Sequence, residues 1–328
     1  MTLIFATRSS ALARWQTRWV MDALRKAHPG LVCEEKIITT RGDKILDKPL
    51  PEIGGKGLFT QELEAELLSG AVHCAVHSLK DLPVENPAGL TVGAIPTRAE
   101  VRDTLISGKG YTLGTLPERA IVGTSSLRRA AQVLSARPDV TIASLRGNVD
   151  TRLRKAGVGL SVGVGLRPTP TDGQYDAIIL AGAGLIRLGL EKYVTEWLPL
   201  DVMLPAPGQG ALAVQCRASD QTTLNLLAAL DDESTRKAVS AERAFLSALG
   251  GGCALPVAAY ATVSSDQLSV ISNQLSVISL MGLVISPDGK NVVKVYGEGT
   301  DALKLGKELA GQAIVQGASD ILKLVTEH

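Results

Sequence analysis

Lys80 and Asp81 stand side by side in the run His77-Ser78-Leu79-Lys80-Asp81-Leu82-Pro83, directly after an apolar, strand-like stretch. A lysine beside an aspartate keeps the carboxylate ionised. An ionised carboxylate just beyond a strand suits stabilising a developing cation or passing a proton. The alternative is an exposed ion pair in a turn, which contributes little. Adjacency alone does not separate the two.

Thr124-Ser125-Ser126-Leu127-Arg128-Arg129 reads as a helix start, where hydroxyls cap free N–H groups. Two arginines in a first turn oppose the helix dipole, which prefers acidic residues there. That local cost makes sense if both face an anion. Between positions 119 and 155, Arg119, Arg128, Arg129, Arg137, Arg146, Arg152, Arg154 and Lys155 are opposed only by Asp139 and Asp150. A solvated basic face explains the same pattern equally well. A third candidate is Cys253, in Gly250-Gly251-Gly252-Cys253-Ala254. A thiol on a glycine-rich loop serves as a nucleophile or attachment point, against the usual buried, inert cysteine.

Other motifs carry less. His73 and His77 lie four apart in a strand-like stretch, where four residues span ~13 Å, too far to share one ion; no metal site is expected. Gly54-Gly55-Lys56-Gly57 lacks the spacing and the hydroxyl of a phosphate loop. Gly182-Ala183-Gly184 follows a strand, but Arg187 stands where a dinucleotide fingerprint has its third glycine.

Short strand-like and helix-like segments alternate through the first two thirds of the chain. Strands are expected at 3–7, 32–39, 72–77, 120–123, 140–144, 177–180 and 211–216. A helix follows the first strand, with Leu12, Trp15, Trp19 and Ala23 at helical spacing. Others are expected around Phe59, Leu63 and Leu67, over 126–136, over 242–249, and as one amphipathic helix over 301–328. This alternation predicts an α/β protein with mostly parallel sheets and helices on both faces, ligands gathering beyond the strands' carboxyl ends. Residues 41–57 have the polar, Gly/Pro-rich composition of a mobile loop. Two patches look inserted: GVGL recurs at 157–160 and 163–166, and QLSVISN at 267–273 precedes QLSVISL at 274–280.

The 328 residues carry 34 Lys+Arg against 33 Asp+Glu, so no global polyelectrolyte mechanism applies. With 3 Trp, 5 Tyr and 3 Phe, the chain lacks the stacking platforms of single-strand binders, and no nucleic-acid partner is expected. Four scattered cysteines without a C-x-x-C predict a reducing, cytoplasmic setting rather than a disulfide scaffold. The first residues are too short for a signal-peptide core. Residues 244–287, whose one charge is Asp266, are too interrupted by Gly, Pro and polar residues for a spanning helix, so no membrane partner is expected.

Taken together, these segments resemble the porphobilinogen deaminase (hydroxymethylbilane synthase) family. The resemblance runs through Ala6-Thr7-Arg8 with Ser10, Thr40-Arg41-Gly42-Asp43, Gly54-Gly55-Lys56-Gly57-Leu58-Phe59, and the run from His77 to Pro83. It continues with Val122-Gly123-Thr124-Ser125-Ser126-Leu127-Arg128-Arg129 and Leu145-Arg146-Gly147-Asn148-Val149 with Thr151-Arg152-Leu153. Pro205-Ala206-Pro207-Gly208-Gln209-Gly210 and Gly251-Gly252-Cys253 complete it, all in order.

The resemblance implies an α/β fold: two periplasmic-binding-protein-like lobes plus a small C-terminal α/β domain. The first lobe would take residues 1–97 and 205–228, the second 98–204, and the cofactor-attachment domain 229–328. It implies a monomeric transferase that joins four molecules of porphobilinogen head to tail with loss of ammonia, giving hydroxymethylbilane. A dipyrromethane cofactor held through a thioether to Cys253 would prime the chain, with no metal. Asp81 would stabilise the electron-poor azafulvenium ion left when ammonia departs. Lys80, Thr124, Ser126, Arg128 and Arg129 would bind the cofactor. Arg8, Ser10, Gln16, Phe59, Arg146, Arg152 and Arg187 would bind substrate, whose acetate and propionate groups suit guanidinium. Phe59 would cover a pyrrole while the 41–57 loop closes as a lid. Two departures from the family pattern are a longer link at 156–171 and the extra QLSVISN copy. A solute-binding protein shares the two-lobed architecture, but it would not need Cys253 modified; an inactive scaffold is the third reading.

Overall fold

The computed structural model describes residues 2–40, 42, 60–158, 174–252, 255–265 and 276–326. Cys253, Phe59, the 43–59 stretch and the first heptapeptide copy at 267–273 lie outside the described residues.

The first sheet comprises β1 (Thr2–Arg8), β2 (Val32–Ile38), β3 (Cys74–Ser78), β4 (Leu90–Ala94) and β10 (Leu212–Arg217), in the order β2-β1-β3-β10-β4. β1 runs parallel to β2 and β3, whereas β10 is antiparallel to β3 and β4. Alternate side chains point to opposite faces. Leu3 and Phe5 therefore meet Val20, Met21 and Leu24 of α1 (Ala11–Ala27), while Ala6 meets Leu63 and Leu67 of α2 (Gln61–Leu68). The helix after β1 forms where expected, but its buried face is rotated. Gln16, Thr17, Val20, Met21 and Leu24 are buried, and Trp19 is exposed. The sheet takes the aliphatic stripe, while Leu12 approaches Gly184 of the second lobe.

The second sheet has β5 (Asp103–Ile106), β6 (Ile121–Gly123), β7 (Thr141–Ala143), β8 (Ala177–Ala181) and β9 (Glu196–Trp197), in the order β7-β6-β8-β5-β9. β5 is the antiparallel member. Its helices are α3 (Leu127–Ala136), α4 (Val149–Lys155) and α5 (Gly182–Leu188), with separate cores on the two faces. Each sheet thus contains one strand delivered by a crossing of the chain: β5 enters after residues 95–102, and β10 returns after 198–211. The expectation of mostly parallel sheets holds, with that one reversal in each. The glycines of Gly182-Ala183-Gly184 serve packing: a Cβ on Gly182 would run into Trp197.

After α6 (Gln221–Leu227), α7 (Glu233–Ala248) leads to the small sheet β11-β12-β13 (Val257–Ser265, Ser276–Ile285, Val292–Gly299). Phe245 of α7 fills its core with Leu305, Leu309 and Ala313 of α8 (Ala302–Val315). Of the second heptapeptide copy, residues 276–280 belong to β12, where Ile278 and Leu280 have no exposed surface. The C-terminal stretch expected as one helix is two, α8 and α9 (Ala318–Thr326), separated at Gly317 with φ +99°. A left-handed glycine ends a helix by closing its last carbonyls.

Candidate active site

The Lys80-Asp81 pair sits in a single 3-10 turn, Leu79–Asp81, at the carboxyl end of β3. Leu79 and Leu82 anchor the turn in the core, each 1% exposed, while Asp81 faces solvent. Arg243 of α7 grips the turn from behind. Its Nη1 donates to the carbonyls of Leu79 (3.2 Å) and Leu82 (3.0 Å), and its Nη2 to that of Pro83 (2.6 Å). The exposed carboxylate is therefore carried on a braced backbone.

Lys80 turns inward, and its Nζ donates to Gln209 Oε1 at 3.1 Å. Burial pulls its pKa down to about 8; Arg129 and Arg128 push the same way, against Asp81 and Asp103. Gln209 Nε2 donates to Asp103 Oδ1 (3.0 Å) and to the Val101 carbonyl (2.8 Å). Asp103, fully buried at the start of β5, also accepts from Arg129 Nε (3.0 Å) and Nη2 (2.7 Å). Arg128 Nη2 lies 2.8 Å from its other oxygen. Burial would raise the Asp103 pKa, but Arg128, Arg129 and Lys80 outweigh it and hold the carboxyl well below its usual range.

The basic pair of α3 is thus no solvated face. Arg128 and Arg129 are 4% and 7% exposed. Arg128 Nη1 donates to the Leu204 carbonyl at 2.7 Å, while its buried Nε has no partner among the described residues. Thr124 Oγ1 accepts from the Ser126 N–H (3.2 Å), and Ser126 Oγ caps α3 by accepting from the Arg129 N–H (3.5 Å). Each hydroxyl keeps a proton to donate. Arg152 Nε bonds the Gly147 carbonyl at 2.8 Å. Burial lowers the Arg152 guanidinium to about 10, Arg129 and Arg146 adding to the effect and Asp81 opposing it. Arg146 keeps a buried Nη2 without a partner among the described residues. These mutual influences bring Lys80, Asp81, Asp103, Arg128, Arg129, Arg146 and Arg152 into one neighbourhood, where cations outnumber carboxylates.

The remaining candidates are placed differently. Ser10 caps α1, accepting from the Ala13 N–H at 3.3 Å, and buried Gln16 donates to Ser78 Oγ at 2.9 Å. Arg8 ends β1, its charge felt by His77. Arg187 Nη2 donates to the Gly210 carbonyl at 2.7 Å, and burial lowers the guanidinium to about 10. His73 Nδ1 accepts from the Ile4 N–H at 3.1 Å. Beyond α7, Gly250 and Gly251 adopt positive φ, and Gly251 lies beside Val84, three residues after Asp81. The chain entering Cys253 therefore starts next to the Asp81 turn.

Sequence reasoning passed over Asp103, Gln209 and Arg243. Gln209 stands inside a motif already noted, and Asp103 was marked only by an acid heading the apolar run Thr104-Leu105-Ile106.

Two doubly wound lobes are thus joined where buried cations outnumber carboxylates, beside the exposed Asp81. The family model described as "Porphobilinogen deaminase, dipyromethane cofactor binding domain" matches residues 3–225, and that of the C-terminal domain matches 236–314. The chain belongs to the porphobilinogen deaminase family. It is 49% identical over 316 residues to the porphobilinogen deaminase of Brevibacillus brevis, covering 96% of this chain and 95% of the relative. That of Roseiflexus sp. is 48% identical, covering 98% of both. Among solved structures, a reduced form of OxyR from N. meningitidis is similar at 12% identity and a TM-score of 0.38, covering 70% of this chain and 93% of that one. The chain is accordingly a transferase of tetrapyrrole biosynthesis. It joins four porphobilinogens into hydroxymethylbilane with release of ammonia, using a dipyrromethane cofactor.

Proposed function

We propose that the neighbourhood around Lys80 and Asp81 is where this chain holds its cofactor and performs each condensation. The observation that carries the reading is the excess of buried cations around an exposed Asp81, with Arg128 Nε and Arg146 Nη2 unpartnered among the described residues. Unpaired buried donors are costly, and a polycarboxylate relieves that cost. The residues present therefore fit dipyrromethane. Lys80, Arg128 and Arg129, with the Thr124 and Ser126 hydroxyls, would hold its carboxylates, and Cys253 would carry its thioether. When bound, the group supplies the electron-rich pyrrole terminus at which synthesis starts.

Asp81 then acts on the arriving substrate. Its carboxylate faces the positive charge that develops as the aminomethyl carbon loses ammonia, and it accepts from the pyrrole N–H. Arg146 and Arg152 pair with acetate and propionate groups, fixing the ring for attack. Arg8, Ser10, Gln16, Phe59 and Arg187 complete substrate binding. The domains are assigned as 1–97 with 205–228, 98–204 and 229–328. The protein acts as a cytoplasmic monomer without nucleic-acid or membrane partners; among the described residues no helix is long and apolar enough to cross a membrane.

Intact-mass measurement with peptide mapping tests the assignment. The purified chain is expected to carry two linked pyrrole units on Cys253, and C253S is expected to lack both the added mass and turnover. Full turnover by unmodified C253S would overturn it.

A further inference from the structure

We propose that Gln209 is the positioning residue that ties the Lys80 ammonium of the first lobe to the Asp103–arginine cluster of the second. The inference rests on the reading of Lys80 as a holder of cofactor carboxylate.

Gln209 sits where the two crossings of the chain meet. Its backbone carbonyl accepts from Arg98 Nε on the outgoing segment at 2.8 Å. The next residue, Gly210, has φ +87°, and a Cβ there would lie 2.7 Å from the Ala99 carbonyl oxygen and 2.8 Å from that of Glu100. The turn is pressed against the outgoing segment, and Gln209 has no exposed surface.

The orientation of its amide follows from chemistry. Val101 O and Asp103 Oδ1 are both acceptors, so the NH2 group must face them, and Oε1 is left for the Lys80 ammonium. Flipping the amide would set oxygen against two oxygens and NH2 against the ammonium. Glutamine is also the side chain that this junction needs. An apolar residue would strip partners from Lys80 and Asp103. A glutamate would repel Asp103 and neutralise Lys80. A neutral amide aims the ammonium without cancelling its charge. Among the described residues, the charged groups acting on Lys80 include Asp81 on its own turn, Asp103 on β5, and Arg128 and Arg129 on α3.

The test compares Q209M, Q209E and K80M. Cofactor occupancy is read by intact mass. The pH midpoint of Lys80 acetylation is read by peptide mapping in a C253S background, which is meant to be cofactor-free. In Q209M, loss of an acceptor that favours the ammonium should move the midpoint below the starting value. In Q209E, an added carboxylate should move it above. Occupancy should fall at least tenfold in Q209M, while the thermal midpoint stays within a few degrees. Midpoints that do not move, or that move the same way in both variants, overturn the proposal. If Q209M does not fold, Q209E decides alone: an upward shift supports the proposal and an unmoved midpoint overturns it. K80M separates the premise. Full occupancy and turnover in K80M refute the role of Lys80 itself. Loss in K80M with normal Q209M and Q209E refutes the Gln209 inference alone.

Discussion

Lys80 and Asp81 are adjacent in sequence and opposite in environment. The 3-10 turn sends Lys80 towards Gln209 and Asp103 and leaves Asp81 in solvent. On the proposed reading, one turn of backbone offers a cation for anchoring and a carboxylate for chemistry. Replacing Asp81 by Asn keeps the shape and removes the charge. Turnover should fall about 10²- to 10⁴-fold, the range for losing a positioned proton-transfer or charge-stabilising group. Cofactor mass on Cys253 and thermal stability should be retained. Turnover within threefold of the parent chain would deny Asp81 the role. The pair itself was legible in the sequence. Which member faced inward was not, because that depends on Gln209 and Asp103, remote in sequence.

Between β3, β10 and α2 runs a buried polar seam. His77 is 7% exposed, its Nε2 unpartnered among the described residues, and Gln215 Nε2 reaches Glu64 Oε1 (3.3 Å) and Asn86 Oδ1 (3.5 Å). Burial lowers the His77 pKa from 6.5 to about 4; the neighbouring Gln215 side chain opposes this, and the Arg8 charge adds to it. The unfolded chain therefore binds more protons than the folded one between about pH 4 and 6.5. Stability contributed by neutral His77 is complete above about pH 6.5 and is lost as pH falls towards 4, amounting to roughly 3 kcal/mol in all. Urea unfolding at pH 7 and pH 4.5 should show a smaller acid loss in H77Q, by about 2 kcal/mol. Equal losses in both chains would clear His77. At this scale the sequence predicted α1 and α3 well, because caps and periodicity are local. It chose the wrong face of α1 and joined α8 to α9, because burial and the break at Gly317 answer to the neighbouring sheet and chain direction.

Glu242 of α7 joins the three parts of the molecule. Its oxygens accept from Arg98 Nη1 (2.6 Å) and Nη2 (3.1 Å) on one crossing, the Gly208 N–H (2.7 Å) on the other, and the Ala261 N–H (2.8 Å) of the small sheet. Glu242 has no exposed surface, and the Arg98 side chain is 10% exposed. E242Q keeps one acceptor oxygen and turns an NH2 group onto donors, leaving the arginine charge unpaired. A loss of about 3–5 kcal/mol is expected from denaturant unfolding, partly recovered in an R98M/E242M double variant. A loss below about 1 kcal/mol would show that the crossings do not depend on this contact. The same helix carries Arg243 against the Asp81 turn and ends in the glycines before Cys253. The glycines at 250–252 and the Asp81 turn are thereby set from one helix.

The sequence by itself determined the α/β alternation, the helix cap at Ser126, and the residue types able to grip carboxylates, because these rest on local geometry and intrinsic charge. It also carried the ordered motifs that place the chain in its family. Only the tertiary structure decided that Arg128 and Arg129 are buried against Asp103, that Gln209 aims Lys80, and that Arg243 braces the Asp81 turn. Those contacts join residues that are far apart along the chain. Their partners are selected by two chain crossings and one packed helix, and no local periodicity or spacing encodes which distant side chain arrives.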